Sequence, residues 1–387
     1  MREPLYDASR AVEDAAAIPG TRPVRLYRIA LPLFAVEFDA VVEERRPYDL
    51  IDRFIVRSIA EAELRTVPEI AAFLGLEEAM VARALRFLGD VGHVVGRSDG
   101  TFALTELGAR SVRGTARVVK HDRQKLYFDG VVGGPLPAEY YGRKIVVWDT
   151  EQATEQKRHR LMSHACPFPD DALQRLSERP DRRDFNVPDE LRDITIRALD
   201  DAYLPCYVIR TLTPRGRSLL VYSAVSESHD EHLGRLCGGW PALTDVLEAG
   251  DFGDPRAELG DWLAERDIDP SLLQWTDAGT LRLGLPASRF NARPATPNPK
   301  GTFALVRLGS YMTFHSHVVQ LWCDDAQLRR RAVLERTLNR VTASRRLDIA
   351  ETEKFLIRLS IQLETSTVTV DELRHYAHHN GRTPLPF

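Results

Sequence analysis

The stretch DLIDRFIVRSIAEAELRTVPEIAAFLGLEEAMVARALRFLGDVGHVVGRSDGTFALTELGARSVRG, residues 49–114, carries the most legible pattern in the chain. Asp49 stands where a helix N-cap belongs. Leu50, Ile51, Phe54, Ile55 and Ile59 recur at helical spacing, which predicts a helix to about Leu64 with one buried face. A second helix is expected in TVPEIAAFLGL, with Thr66 as N-cap and Pro68 and Glu69 in the first turn. Ile70, Ala71 and Leu74 point inward there, and Gly75 supplies the backbone freedom of a tight turn. A third helix runs from near Glu77 to about Asp90. At about 100° per residue, Leu76, Met80, Val81, Ala84, Leu85, Phe87, Leu88 and Val91 fill one half of its circumference. Glu78, Ala79, Ala82, Arg83, Arg86 and Asp90 fill the other. Gly92 ends this helix. Strands at Val94–Val95 and Phe102–Leu104 then flank Asp99-Gly100, the dipeptide that favours a hairpin turn. LTELGARSVRG closes the stretch as a fourth helix.

This order of helix, short helix, turn, longer helix, glycine, hairpin and LTELG resembles the winged helix-turn-helix superfamily, especially bacterial MarR-like and DtxR-like regulators. The resemblance covers residues 49–114 only. It implies that the exposed face of residues 77–90 is a recognition surface, for double-stranded DNA or for a protein partner, and that Arg97 sits on the wing. A helix in the major groove needs small or hydrogen-bonding residues near its N-terminus and cations around them. Ala79 and Ala82 permit close approach, Arg83 and Arg86 would reach base edges or phosphates, and Arg97 would meet a backbone phosphate. Arg110, Arg113, Arg117, Lys120, Arg123 and Lys125 follow in a short stretch. Such a basic run supplies non-specific affinity through counterion release. Glu77 and Glu78 oppose this, because carboxylates repel phosphates, although Glu accepts from a cytosine amino group. They also suit the positive end of a helix dipole. The other reading of the same surface is a docking module for a protein.

With 387 residues the chain has room for two or three domains, and 43% hydrophobic residues provide a substantial core. The expected class is α+β: a winged helix-turn-helix, then mixed α+β domain(s), then a helical C-terminal segment. The expected partition is an N-terminal strand-containing arm at 1–48, the winged-helix domain at 49–125, a central α+β domain at 126–291, and a strand pair plus helices at 302–387. Pro294, Pro297, Pro299 and Gly301 mark a linker before the last of these. In the central part, Lys144 to Trp148 reads as a strand, residues 151 to 185 as linker or surface helices, and Pro188 to Asp200 as a short helix. Leu204 to Leu212 and Ser218 to Val225 read as a hairpin. A second hairpin is expected from Leu272 to Leu285, and helices near 325–343, 348–363 and 370–379.

A net charge of -4 argues against a protein that coats nucleic acid over its whole surface. Locally the balance is uneven. Residues 227–269 carry twelve acids against Arg235, Arg256 and Arg266, while Arg329, Arg330, Arg331, Arg336, Arg340, Arg345 and Arg346 crowd one predicted helix. Domains that dock on each other, or on a charged partner, have this asymmetry; so do solvated helix faces. Cys166, Cys206, Cys237 and Cys323 form no CxxC pair, which fits reduced thiols in a cytoplasmic protein. Residues 1–20 lack the apolar core of a signal peptide, and 29–42 is too short and polar to span a bilayer, so no membrane association is expected.

Candidate chemistry is sparse. Gly133-Gly134 lacks the Lys-Ser/Thr of a phosphate loop and reads as a turn. Gly309 to His317 matches the opening of a cupin motif. On a strand His315 and His317 would share a face and bind one metal, but the cupin glutamate is absent. His229, Asp230, His232 and Cys237 form a second cluster, and His375, His378 and His379 a third on the last helix. No nucleophile elbow or dinucleotide fingerprint occurs. No cofactor is implied, and non-enzymatic action is favoured. The expected role is DNA binding, as a transcriptional regulator or as an accessory subunit of a DNA-processing or genome-defence complex, the latter by analogy alone. The alternatives are a protein-docking scaffold without DNA binding and a metal-dependent enzyme centred on His315 and His317. A protein partner or a homodimer fits either binding role.

Overall fold

A computed structural model describes residues 7–46, 48–112, 116–142, 145–188, 191–226, 228–249, 253–291, 299–343, 348–382 and 385, with backbone alone for 42–46, 116–122 and 191–192. The chain is mixed α+β and ends in a helical segment. Its first elements are α1 (Ala8–Ala17), β1 (Arg22–Arg46), α2 (Leu50–Glu61), α3 (Val67–Leu74), α4 (Glu78–Asp90), β2 (Val94–Gly96), β3 (Phe102–Leu104), α5 (Glu106–Ser111) and β4 (Ala116–Asp129). There follow β5 (Trp148–Asp149), α6 (Thr150–Glu155), β6 (Arg160–Leu161), α7 (Ala172–Glu178), β7 (Leu191–Thr213), β8 (Gly216–Tyr222), α8 (Glu231–Gly238) and α9 (Pro241–Ala249). Then come α10 (Pro255–Glu258), α11 (Gly260–Glu265), β9 (Leu273–Trp275), β10 (Leu281–Gly284), β11 (Phe290–Asn291), β12 (Phe303–Ala304), β13 (Tyr311–Phe314) and β14 (His317–Trp322). The helices α12 (Ala326–Ala343), α13 (Ile349–Gln362) and α14 (Val370–His379) close the chain. Two compact units divide it. The first comprises Met1–Leu31, Lys144–Met162 and Tyr203–Phe387; the second comprises Pro32–Arg143 and Ser163–Ala202. Both are discontinuous along the chain.

In the second unit, local signals build the segment from α2 to α5. Thr66 and Glu69 form a reciprocal capping box at the start of α3: the Glu69 amide donates to Thr66 Oγ1 at 3.4 Å and the Thr66 amide to Glu69 Oε2 at 3.0 Å. Gly75 ends α3 in the left-handed conformation, φ 65°, where the absence of a Cβ removes the steric cost. Ile55, Val56, Ile59, Ile70, Val81, Leu85, Leu88 and Val94 form the core of the segment. Gly108 in α5 packs so tightly on the His93 carbonyl that a side chain would collide with it. One expectation is corrected. Leu50 (69%), Phe54 (46%) and Phe87 (54%) are exposed, and Ile51 also faces out. On α2 the buried stripe is Asp52, Ile55, Val56 and Ile59, so the apolar residues encircle more of the helix than one small core covers.

Elsewhere in this unit, Leu33–Arg46 of β1 pairs antiparallel with Ala116–Asp129 of β4. Phe34, Val36, Phe38, Leu126 and Phe128 pack with Leu173 and Leu176 of α7. The short helix expected over Pro188–Asp200 is absent: from Leu191 onward these residues belong to β7. The β-branched run Ile194-Thr195-Ile196 favours extended backbone, and the Arg197 side chain is held at 2.6 Å by Asp39 of β1. Tertiary pairing overrides a weak helical pattern.

Residues 22–31 of β1 and 203–213 of β7 belong to the first unit, where the strand order is β5-β7-β1-β14-β10-β9, with β13 beside β14, β6 beside β1 and β8 beside β7. The hairpins β7–β8 and β9–β10 form where the sequence places them. The strand expected over Lys144–Trp148 is confined to Trp148–Asp149. The helices α12, α13 and α14 pack on Leu281, Leu283, Val319 and Leu321 of the sheet, making the largest core of this unit. Thr369 and Glu372 form a second capping box on α14. Residues 292–298, most of the proline-rich linker, lie outside the described residues.

Candidate nucleic-acid interface

The exposed face of α4 is formed by Ala79, Arg83, Arg86 and Asp90, which follow one another at intervals of three or four residues. Glu77 and Glu78 are exposed at its start, and Ala82 is half-buried. Among the described residues Arg83 and Arg86 make no ion pair or side-chain hydrogen bond. Phe87 stands out beside them, and Phe73 of α3 is likewise exposed (63%).

Arg97 follows β2 and is exposed. Its amide donates to the Thr101 carbonyl at 2.8 Å, closing the tip around Asp99-Gly100. Asp99 accepts from the Thr101 hydroxyl and amide, and these bonds hold its carboxyl below the usual range. The fixed tip presents Arg97 to solvent. Arg110 is exposed on α5. Arg113 lies outside the described residues, as do the side chains of Arg117 and Lys120, whose backbones belong to β4. The end of the basic run is not free. Arg123 pairs with Asp39 at 3.4 Å and Lys125 with Glu37 at 3.2 Å, both across the β1–β4 ladder. The Asp39 carboxyl is held low, first by Arg197 and then by Arg123. At Arg123 and Lys125 the cations of this strand are thus neutralised across the ladder.

The same segment holds a largely buried polar cluster that the sequence does not announce. Tyr48 Oη meets His93 Nδ1 at 2.9 Å, and Tyr48 also bonds to Ser111. Asp52 is buried close enough to feel the charge of His93. Burial raises the Asp52 carboxyl and the Tyr48 hydroxyl above their ordinary values. The four residues come from the segment before α2, from α2 itself, from the α4–β2 turn and from α5. They tie the hairpin and last helix to the first helix; only their scatter along the chain conceals them.

The histidine candidates separate. His315 is not on a strand but in the β13–β14 turn at φ 48°, exposed, whereas His317 is buried on β14 with Nε2 3.2 Å from Glu258 Oε2. The face-sharing that would let two imidazoles bind one metal therefore does not form. Asp230 caps α8, accepting from the Leu233 amide at 2.9 Å and from Ser223 Oγ at 2.6 Å, while Cys237 is buried with its thiol pushed up to about 12. His379 Nδ1 lies 3.1 Å from the His375 carbonyl on the outer side of α14, where both histidines are exposed. Among the described residues no three His, Cys, Asp or Glu side chains are grouped to hold a metal. No described helix is long and apolar enough to cross a membrane. Compared with protein-family models, curated proteins and solved structures, the chain matches none.

Proposed function

We propose that this protein binds double-stranded DNA, with residues 49–114 acting as a winged helix-turn-helix whose α4 enters the major groove and whose β2–β3 hairpin meets the backbone. The observation that carries this reading is the outer face of α4. Two arginines stand there without any partner among the described residues, on a helix entered from a glycine turn and followed by a tight hairpin that bears a third exposed arginine. Exposed, uncommitted guanidinium groups beside a small residue such as Ala79 are what base-edge and phosphate contacts require. A regulator and an accessory subunit of a DNA-processing complex would both use such a surface.

The test is duplex binding by fluorescence anisotropy across a salt series. Each phosphate contact contributes about 0.9 to the slope of log K against log salt. No binding to any duplex at low salt would sink the proposal. The second reading, docking of a protein on the same segment, has its own observation: Phe54, Phe73 and Phe87 are all exposed. It gains if substituting these three with Ser leaves duplex binding intact yet abolishes association with a partner.

A further inference from the structure

A cavity of 520 Å³ lies in the first unit, bounded by residues 26–29 of β1, residues 157–160 leading into β6, Leu247 of α9 and the β13–β14 turn. Its size falls within the range of small-ligand sites. Four cations line it, Arg28, Lys157, Arg158 and Arg160, with His315 beside them and no carboxylate among the lining residues. Acidic residues outnumber basic ones in the whole chain, 56 to 52, so an all-cationic lining does not follow from composition. None of the four cations makes an ion pair among the described residues.

Two of them are already positioned. The parallel β1–β6 ladder pairs Ile29 with Arg160, which brings Arg28 and Arg160 onto neighbouring strands. Arg160 Nη1 donates to the Val246 carbonyl at 2.8 Å, and Arg28 Nη1 to the His315 carbonyl at 3.4 Å. Arg28 also lies over the Tyr207 ring, 5.9 Å from its centre. Each guanidinium keeps further N–H groups for another acceptor. The turn that receives Arg28 holds His315 in the left-handed region, a conformation that costs a non-glycine residue energy and that clusters at binding sites. Burial, followed by the charge of Arg28, depresses the neighbouring His159 to about 4. Leu26, Tyr27 and Leu247 supply the apolar part of the lining.

We propose that this cavity binds a small, nucleotide-sized ligand bearing two or more phosphoryl groups, held by Arg28 and Arg160 from the strands and by Lys157 and Arg158 from the turn. A phosphate group carries about -1.5 to -2 charge at pH 7, so two of them match four cations. Like charges gathered in a cleft with apolar walls repel one another and focus the field on an incoming anion. The inference is independent of the DNA reading, since its residues all belong to the other unit.

Isothermal titration calorimetry of the full chain tests it, with ATP, inorganic pyrophosphate and adenosine at about 0.15 M salt. ATP and pyrophosphate should bind one per chain and adenosine should not. Arg28→Ala and Arg160→Ala should each weaken binding about tenfold or more. Arg83→Ala/Arg86→Ala should leave it unchanged, which separates failure here from failure of the DNA reading. Should Arg28→Ala not fold, the exposed Lys157→Ala and Arg158→Ala carry the test, each with a several-fold loss. Absence of binding by both polyanions, or equal affinity in all pocket variants, overturns the proposal. So does affinity for 5′-phosphorylated single strands that climbs steadily with length, because that defines an open nucleic-acid track.

Discussion

Helices α4 and α12 both bear arginines, yet they use them in opposite ways. On α12 every described arginine is engaged within its own unit. Arg329 donates to the carbonyls of Leu363 and Cys323, Arg330 grips Glu372 at 2.6 Å, Arg331 meets Tyr376, Arg336 pairs with Glu13 at 3.1 Å, and Arg340 lies over the Phe355 ring. On α4, Arg83 and Arg86 have no such partner among the described residues. The cation-rich helix is therefore an internal clamp, and the sparsely charged one offers its cations to solvent. Counting charge along a sequence locates neither role; what decides is whether carbonyls, carboxylates and rings lie within reach.

The sharpest way to break this comparison is to remove arginines from each helix in turn and measure stability. Arg336 is mostly buried, and its partner Glu13 also accepts from the Tyr311 amide and from Gln362 Nε2. Arg336→Ala strips the paired cation from that carboxylate and leaves it only neutral donors, at a cost of about 2–3 kcal/mol. A urea midpoint that stays put would show that α12 does not clamp α1. The Arg83→Ala/Arg86→Ala variant should unfold like the parent, because exposed residues without partners contribute little to stability. It should instead lose duplex affinity about tenfold and lower the salt slope by about two. An unaltered slope would remove α4 from the interface.

The way these regions show in the sequence follows from how local their causes are. The α2–β3 segment is legible because its capping box, Gly75 and Asp99-Gly100 each act within four residues. The three closing helices are legible for the same reason. The Pro188–Asp200 stretch misleads because β7 has β1 as its sheet neighbour, and Asp39 of β1, which holds Arg197, lies 158 residues away. The pocket cations are visible in the run QKRHR, but Arg28 and the His315 turn that complete the cavity come from distant strands. Tyr48, Asp52, His93 and Ser111 likewise gather only after folding. Among the expected interface residues, Arg83 and Arg86 share a face because helical periodicity is itself local. Pairing of Arg123 and Lys125 depends on register with β1 and is invisible beforehand.

A smaller effect sharpens the contrast at the tip of α4. Glu77 and Glu78 are exposed where a groove-bound helix would first meet phosphates. Replacing both with Gln should raise duplex affinity about three- to tenfold at low salt, and the gain should fade as salt shortens the screening length. A loss of affinity would instead mean that a glutamate reads a base, and would show as a change in sequence preference without a change in salt slope.

The smallest effect concerns two carboxylates with opposite surroundings. Glu372 of α14 is held low by the Thr369 amide and Arg330, whereas Asp52 of α2 is raised by burial. Their linkage signs differ. The lowered Glu372 contributes stability that is present above its unfolded value and lost as pH falls through its folded value. For Asp52 the folded state binds its proton more tightly than the unfolded chain, whose value is near 3.8. As pH rises from there through the folded value, stability falls, and the cost persists at neutral pH. Asp52→Asn should therefore flatten a decline on the acid side and gain relative to the parent as pH rises, while Glu372→Gln should lose relative to the parent over the same range. Urea midpoints from about pH 3.5 to 7 separate the two. Parallel curves for parent and Asp52→Asn would show that burial does not raise the Asp52 carboxyl in the folded chain.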